Sequence, residues 1–459
     1  MFMKMHGRPI KSLDDKFHEM MTEHMNYVVS KIKKPLKVAL EDFKRSRCRP
    51  KNVRIEGKCP TDDEGNEIMI QVEGLSKIYG KYPEEALKLL EKGADKKEVQ
   101  EKTSNNVGLY NVSLNVRKGE IFVIIGLSGS GKSTLERCMN RLIEPTTGRI
   151  LIAGIDITSL NEEELRYVRQ KHMSMVFQNF ALLPHRNVKS NVSYGLEIQG
   201  ILENERLERS QASIERVGLS GYENSYPRDL SGGMKQRVGL ARALATDPDI
   251  LFMDEAFSAL DPLIRNDMQE ELQRIQSDLN KTIVFVTHDL DEALRLGDRI
   301  ALMKDGRVVQ IGTPEEILKN PADEYVSRFT KKVDRTKVFD AETFMKKPRN
   351  VIHDTQGPRA AMKIMESTDH SNLLVVDKSN RLVGMVGSDD IINAIRQGKT
   401  LDDVIERDIP RVHRDTPMKE VIHIMVTTDF SIPVVDDDQR LIGIVSPSAT
   451  AEALNEGDL

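Results

Sequence analysis

Three cysteines in 459 residues, Cys48, Cys59 and Cys138, are few, odd in number and without metal-ligand spacing. They exclude a disulfide framework and point to free thiols in a reducing cytoplasm. Also missing is any apolar run near the ~20 residues that a membrane helix needs. The opening MFMKMHGRPIKSLDD has no signal-peptide core, so work done across a membrane is expected to use a partner chain. A basic excess is absent too: the formal net charge of −5 argues against a dedicated nucleic-acid binder. The 39% hydrophobic and 30% charged content is ordinary for a soluble protein, and the length predicts two to four domains with cores of their own.

What is present centres on residues 126–134, Gly-Leu-Ser-Gly-Ser-Gly-Lys-Ser-Thr, behind the apolar run Ile121–Ile125 and before the helix-forming Leu135, Glu136 and Arg137. Strand, glycine turn and helix in that order are the context of a phosphate-binding loop. Gly126, Gly129 and Gly131 let the backbone turn its N–H groups onto phosphate oxygens, and the helix N-terminus favours an anion. Lys132 is placed to reach the β and γ phosphates, and the Ser133 hydroxyl to ligate Mg²⁺.

Taken in order, residues 1–66 form a basic arm with Lys31, Lys33, Lys34, Lys37 and the run Lys44 to Lys58. A solvated extension is the simpler reading, and anionic lipid or nucleic acid the functional one. His6, His18 and His24, with Met20, Met21 and Met25, fit no compact ligand set. An opening strand is expected at 68–72, two short helices broken at Gly93 over 83–103, and a strand at 109–116 leading to the one that feeds the loop. A hairpin at 148–158, a charged helix at 161–171 and a strand at 173–177 ending at Gln178 follow. Residues 179–229 read as a helical insertion. Strands resume at 250–253, 283–286 and 300–303, so the fold class is α/β, mostly parallel. Residues 334–350 are polar and basic and read as a linker. Beyond them Val375 to Val386 recur as Val434 to Val445, at an offset of 59 residues. Such small tandem units pack as a pseudo-symmetric pair, because neither alone has enough core.

Four further stretches complete a site. The strand Ile250 to Met253 delivers Asp254, a candidate Mg²⁺ ligand, and Glu255, a candidate general base for an attacking water. His288, after another buried strand, is placed for the γ-phosphate; alone it would read as structural. Gln178 is placed to sense Mg²⁺ and the water. Leu230 to Arg237 is a second glycine turn opening a helix, hence a second anion site, read most economically as capping ATP held by another subunit.

The set GLSGSGKST, Gln178, LSGGMKQR, ILFMDE, SALD at 258–261 and His288, in this order over residues 68 to about 330, resembles the ATPase subunit of an ABC transporter. SYPRDLSGGMKQRVGLARAL, MDEAFSALDPLIR, the two-helix insertion after Tyr79 and the paired C-terminal repeats resemble the ATP-binding subunit of glycine betaine/proline uptake systems, and the repeats resemble CBS domains. The resemblance implies a P-loop NTPase domain over 67–333 (helical subdomain about 179–229), with antiparallel strands beside the parallel sheet. CBS domains over 351–400 and 401–457 are α+β. It implies Tyr79 stacking on adenine and Gly126, Leu127, Ser128, Gly129, Ser130, Gly131, Lys132, Ser133 and Thr134 binding ATP phosphates. Ser133, Gln178 and Asp254 would hold Mg²⁺, with Glu255, His288 and Gln178 in catalysis. Ser231, Gly232 and Gly233 would meet the γ-phosphate of a second copy, with Asp261 communicating across the dimer. Leu182, Leu183, Pro184 and His185 would receive an integral membrane permease, which works with a substrate-binding protein or domain, at the cytoplasmic face of the membrane. For the CBS pair it implies an adenine nucleotide or cyclic dinucleotide, or sensing of ionic strength. Gly384 and Asp390 of the first copy and Gly443 and Ser446 of the second match the ligand pattern; Gly387 and Ala449 depart from it. Two rivals are a soluble ABC protein acting on nucleic acid or ribosomes, and an importer for another solute such as choline or carnitine.

Overall fold

A computed structural model describes residues 57–451 apart from 332, 334, 335, 337, 369 and 449. The basic arm, up to residue 56, lies outside the described residues. Its last part is tied to the first strands, Arg117 donating to Asp62 and to Glu64 at 2.8 Å each. Two compact units are present, one of residues 58–158, 175–181 and 249 onward, the other, as described, of residues 159–174 and 182–248.

The larger unit opens with β1 (Ile68–Tyr79), β2 (Asn106–Arg117), β3 (Ile121–Gly126), β4 (Thr147–Ile152) and β5 (Ile155–Asp156). The main sheet is completed by β6 (Met173–Val176), β7 (Ile250–Asp254), β8 (Thr282–Thr287), β9 (Arg299–Lys304) and β10 (Arg307–Gly312). The six-stranded order is β10-β9-β3-β8-β7-β6, with β9, β3, β8 and β7 mutually parallel. Every residue of β3, β7 and β8 is buried, which is why they are continuous apolar runs: helices cover both faces. Phe285 packs against Phe257 with centroids 5.4 Å apart and the rings tilted by 40°.

A second, antiparallel sheet runs β2-β1-β4-β5. Its β2 alternates buried and open residues, as a strand with one covered face must. The expected opening strand 68–72 continues to Tyr79, because register shifts on both sides of Leu75 carry the ladder past Gly74. β10, an antiparallel edge strand, was not among the expected elements; only Gly312 of it is buried, so the hydrophobic signal is weak. The helices Pro83–Glu91 and Lys96–Thr103 stand where the two-helix insertion was expected, seated through Ala86, Leu90 and Val99 on Ile78 and Val107.

The smaller unit holds the helices Glu162–His172, Val188–Val192, Tyr194–Ile198, Glu203–Arg216 and Gly232–Ala245. Its limits differ from the expected 179–229: residues 179–181 belong to the larger unit, while 159–174 join the smaller one, where Gln199 donates to Gln170 O at 2.6 Å, and 230–248 join it because Glu203–Arg216 packs along Gly232–Ala245. Asn161 caps the first of these helices in a capping box with Glu164.

The C-terminal repeats form two three-stranded sheets of one plan, β11 (Val351–His353), β12 (Asn372–Val376), β13 (Leu382–Gly387) and β14 (Val412–His413), β15 (Ile432–Val435), β16 (Leu441–Val445). The polar turns that mark the repeat meet: Leu382 N–H donates to Gln439 O at 3.0 Å and Leu441 N–H to Asn380 O at 2.9 Å. Leu374, Val376 and Leu382 share one core with Val435 and Leu441. The stretch read as a linker contributes to the pair: Lys346 exchanges two backbone hydrogen bonds with Ile444, as Glu406 does with Met385. Each copy's entry segment thus crosses the other copy's last strand. A Cβ on Gly384 would run into the Glu406 carbonyl, so this crossing requires glycine.

One core residue opposes folding. Glu136, on the helix Lys132–Met139, is fully buried and neither carboxyl oxygen has a hydrogen-bond partner. Burial, helped by Asp254, raises its pKa well above the usual carboxyl value, and Arg137 compensates only in part. The folded state therefore holds the proton that the unfolded chain releases, so the contribution of Glu136 to stability is most favourable in acid and falls as pH rises above the unfolded carboxyl value. Replacement by an apolar side chain of similar size removes the unmet groups, worth about 1–3 kcal/mol. Glu136→Leu is expected to raise the thermal midpoint, by more at pH 8 than at pH 5; calorimetry at the two pH values that finds no gain would contradict this account.

Candidate nucleotide site

The glycine loop joins the carboxyl end of β3 to the helix Lys132–Met139. Gly126 and Gly131 have φ of 158° and 105°; a Cβ on Gly131 would sit 2.7 Å from the Gly108 carbonyl. Only glycine makes this turn. The Lys132 ammonium folds back over the loop, donating to the carbonyls of Gly126 at 2.9 Å and Leu127 at 3.3 Å. Burial lowers its pKa, opposed by the nearby Glu255 and Asp254. Leu127, Ser128 and Gly129 are exposed, and Ser130 is buried.

Parallel pairing decides what meets this loop. Asp254 lies opposite Val286 and Ile125 opposite Thr287, so the ends of β3, β7 and β8 fall on one edge. Ser133 Oγ donates to Asp254 Oδ1 at 3.0 Å, and Arg137 donates to Asp254 Oδ2 at 3.1 Å. A hydroxyl and a carboxylate at that spacing are hard oxygen donors that fit Mg²⁺. Arg137 was read in the sequence only as helix-forming; a basic side chain on a short helix gives no signal of such a contact.

Glu255 takes φ +46°, a left-handed conformation unusual for glutamate, held by its N–H bond to Val286 O at 2.9 Å. Gln178 Nε2 donates to Glu255 Oε2 at 3.2 Å and to Ser258 Oγ at 3.3 Å. His288 Nδ1 is 3.4 Å from the same Glu255 oxygen. The three residues named from separate strand ends therefore form one cluster.

Glu255 and His288 line one ≈ 550 Å³ cavity with Lys132, Ser133, Thr134 and Tyr79. The Tyr79 hydroxyl is 3.4 Å from Thr134 Oγ1, the residue is 40% exposed, and the Lys77 ammonium lies over its ring 5.2 Å from the centroid. Asn106, Gly108 and Lys96 complete this end; Lys96, in a polar helix, had no sequence signal. Asp261 is exposed and caps the helix Pro262–Leu279, accepting from Ile264 N–H at 3.1 Å. Arg265 on that helix donates to Leu260 O and to Asp289 beside His288, at 3.2 and 3.4 Å, a mechanical link between the SALD turn and His288 that sequence reasoning missed.

In the smaller unit Ser231 is exposed and caps the helix Gly232–Ala245, its Oγ accepting from Met234 N–H at 3.3 Å; Gly232 is exposed and Gly233 half-buried. Leu182 and Leu183 are half-buried, and Pro184 and His185 exposed. Their loop is held from below by the fully buried Asn191, whose amide donates to the carbonyls of Leu183, Arg186 and Asn187 and accepts from Leu183 N–H at 2.8 Å. In the repeats, Gly387 lies beside the Asp390 carboxylate and Ser446 Oγ is 3.0 Å from Ser448 Oγ; Ala449 lies outside the described residues.

Residues 109–258 match the ABC transporter family, and residues 341–397 and 401–456 match the CBS domain. The glycine betaine transport ATP-binding protein OpuAA of Bacillus subtilis is 51% identical over 387 residues, 84% of this chain and 92% of that protein. The glycine betaine/proline betaine transport system ATP-binding protein ProV of Escherichia coli is 48% identical over 391 residues, 84% and 98% of the two chains. The glycine betaine/carnitine transport ATP-binding protein GbuA of Listeria monocytogenes is 49% identical over 391 residues, 85% and 98%. Among the described residues no helix is long and apolar enough to cross a membrane. With its phosphate loop, its carboxylate pair and its tandem repeats, the chain belongs to the ATP-binding subunits of ABC transporters of the glycine betaine type, and carries a C-terminal pair of CBS domains.

Proposed function

We propose that this chain hydrolyses ATP as a head-to-tail dimer to drive uptake of glycine betaine or a related small quaternary amine, through a membrane permease served by a substrate-binding protein or domain. The observation that carries it is the cluster of Glu255, Gln178 and His288, of which Glu255 and His288 line one cavity with Lys132. The loop N–H groups and Lys132 hold the phosphates, and Tyr79 stacks on the base. Mg²⁺, held by Ser133 and Asp254 with Gln178, would neutralise charge on the β and γ oxygens. Glu255 takes the proton from a water that attacks the γ-phosphorus as the bond to the β-phosphate oxygen breaks. His288 holds a γ-oxygen, and ADP and phosphate leave.

Ser231, Gly232 and Gly233 form the exposed start of a helix, which suits an anion supplied from outside the chain. The partner copy supplies it, so ATP closes the pair and hydrolysis reopens it, moving the permease between its two access states. Pro184 and His185, exposed on the Asn191-held loop, are the contact with the permease in this reading, and the chain then works peripherally at the cytoplasmic face of the membrane. The solute pocket lies in other chains, and carnitine or choline fit this reading as well as betaine. The division follows: an arm over 1–66, the ATPase over 67–333, a linker over 334–350 that ends by pairing with the second repeat, and regulatory CBS domains over 351–400 and 401–457, whose ligand is an adenine or cyclic dinucleotide.

Glu255→Gln is expected to lower the hydrolysis rate of the purified transporter about 10²- to 10⁴-fold and to leave ATP binding intact, the signature of a lost general base; normal turnover would remove Glu255 from that role. Ser231→Arg is expected to abolish hydrolysis in the assembly while the isolated chain binds ATP with unchanged affinity. Weakened binding in the isolated chain would place Ser231 in its own chain's site and overturn the head-to-tail arrangement.

A further inference from the structure

Lys96 stands where a lysine is costly unless it has work to do. It is the first residue of the helix Lys96–Thr103, after the capping Asp95, so its charge opposes the positive end of the helix dipole. It is half-buried, and burial lowers its pKa, with Asp305 as the partner that offsets this. Among the described residues its ammonium has neither a hydrogen bond nor an ion pair within 4 Å.

Its position is defined by the turn between β9 and β10. The Lys96 Cε lies 3.2 Å from where a Cβ on Gly306 would stand, so the stem lies over a bare glycine. The Gly306 N–H donates to Ser130 O at 2.8 Å, which attaches that turn to the phosphate loop. Lys96 lines the same cavity as Lys132, Tyr79, Asn106, Gly108, Glu255 and His288. Gly306, under the Lys96 stem, abuts Gly108, which lies against the Tyr79 ring, and Tyr79 pairs with Asn106. The insertion that carries it is fastened by Ala86, Leu90 and Val99 to Ile78 and Val107, neighbours of the residues at the base-binding end.

We infer that Lys96 is a further nucleotide-binding residue, whose ammonium contacts the α-phosphate and ribose of the bound nucleotide, and that the two-helix insertion serves to deliver it. This rests on the ATP-site reading. The contact is made equally by ATP and ADP and does not change as the γ-phosphoryl leaves, so it acts on affinity and not on the chemical step.

The test is equilibrium binding of Mg-ATP and Mg-ADP to the full chain, with steady-state hydrolysis by the assembled transporter. Lys96→Met keeps the apolar stem and removes the charge; it is expected to weaken ATP and ADP about 5- to 30-fold alike, the worth of one charge-assisted contact, and to raise KM with kcat unchanged. Lys96→Arg is expected to restore most of the affinity. Wild-type affinity for both nucleotides in Lys96→Met would overturn the inference, whether or not Lys96→Ala is weakened, since a defect in alanine alone means packing of the stem. Lys132→Ala serves as the control: if it still binds ATP tightly, the ATP-site reading has failed, whereas loss of binding there with no effect in Lys96→Met rejects the role of Lys96 alone.

Discussion

The structure depends on the pairing of β3, β8 and β7 as adjacent parallel strands. Parallel strands in register end at one edge, and each strand here continues into a polar residue at that edge: the glycine loop after β3, Asp254 and Glu255 at β7, His288 after β8. The hydrogen bond from Ser133 to Asp254 closes the arrangement, between residues 121 positions apart in sequence. A one-residue slip of β7 would turn Asp254 to the other face. Full burial of the three strands specifies the register, and so the chemistry of the edge is set by the hydrophobic core beneath it.

That core tolerates expense near the site. Glu255 is held in a left-handed backbone conformation, and Glu136 lies buried without partners one helical turn beyond Ser133. Strain and unmet polar groups next to a reacting centre are the pattern of a site whose geometry matters more than its stability. Arg265 extends the same logic outward, since a movement of the SALD turn at Leu260 is felt at Asp289, next to His288. The SALD turn is thereby connected through Arg265 to the residue next to His288.

The C-terminal pair shows a different economy. Each copy is too small for a core of its own, and the exchange of entry segments, with Lys346 on β16 and Glu406 on β13, makes each the support of the other. The reciprocal turn contacts at Asn380 and Gln439 pin the pair at its centre. A device of this kind responds as a unit, which suits regulation by a ligand or by ions.

Much of this was determined by the sequence alone. Buried strands, the glycine loop, the carboxylates at 254 and 255, His288 and the 59-residue repeat are local patterns, and local patterns survive without knowledge of the fold because periodicity and turn chemistry act over a few residues. Tertiary structure decided what local pattern does not encode. The edge strand β10 and the length of β1 depend on neighbours that accept a bulged or half-exposed strand. The limits of the helical unit depend on which helices pack side by side. Arg137, Arg265 and Lys96 belong to no motif in the sequence; they gain meaning only when distant segments bring them to Asp254, to Asp289 and into the cavity of Lys132.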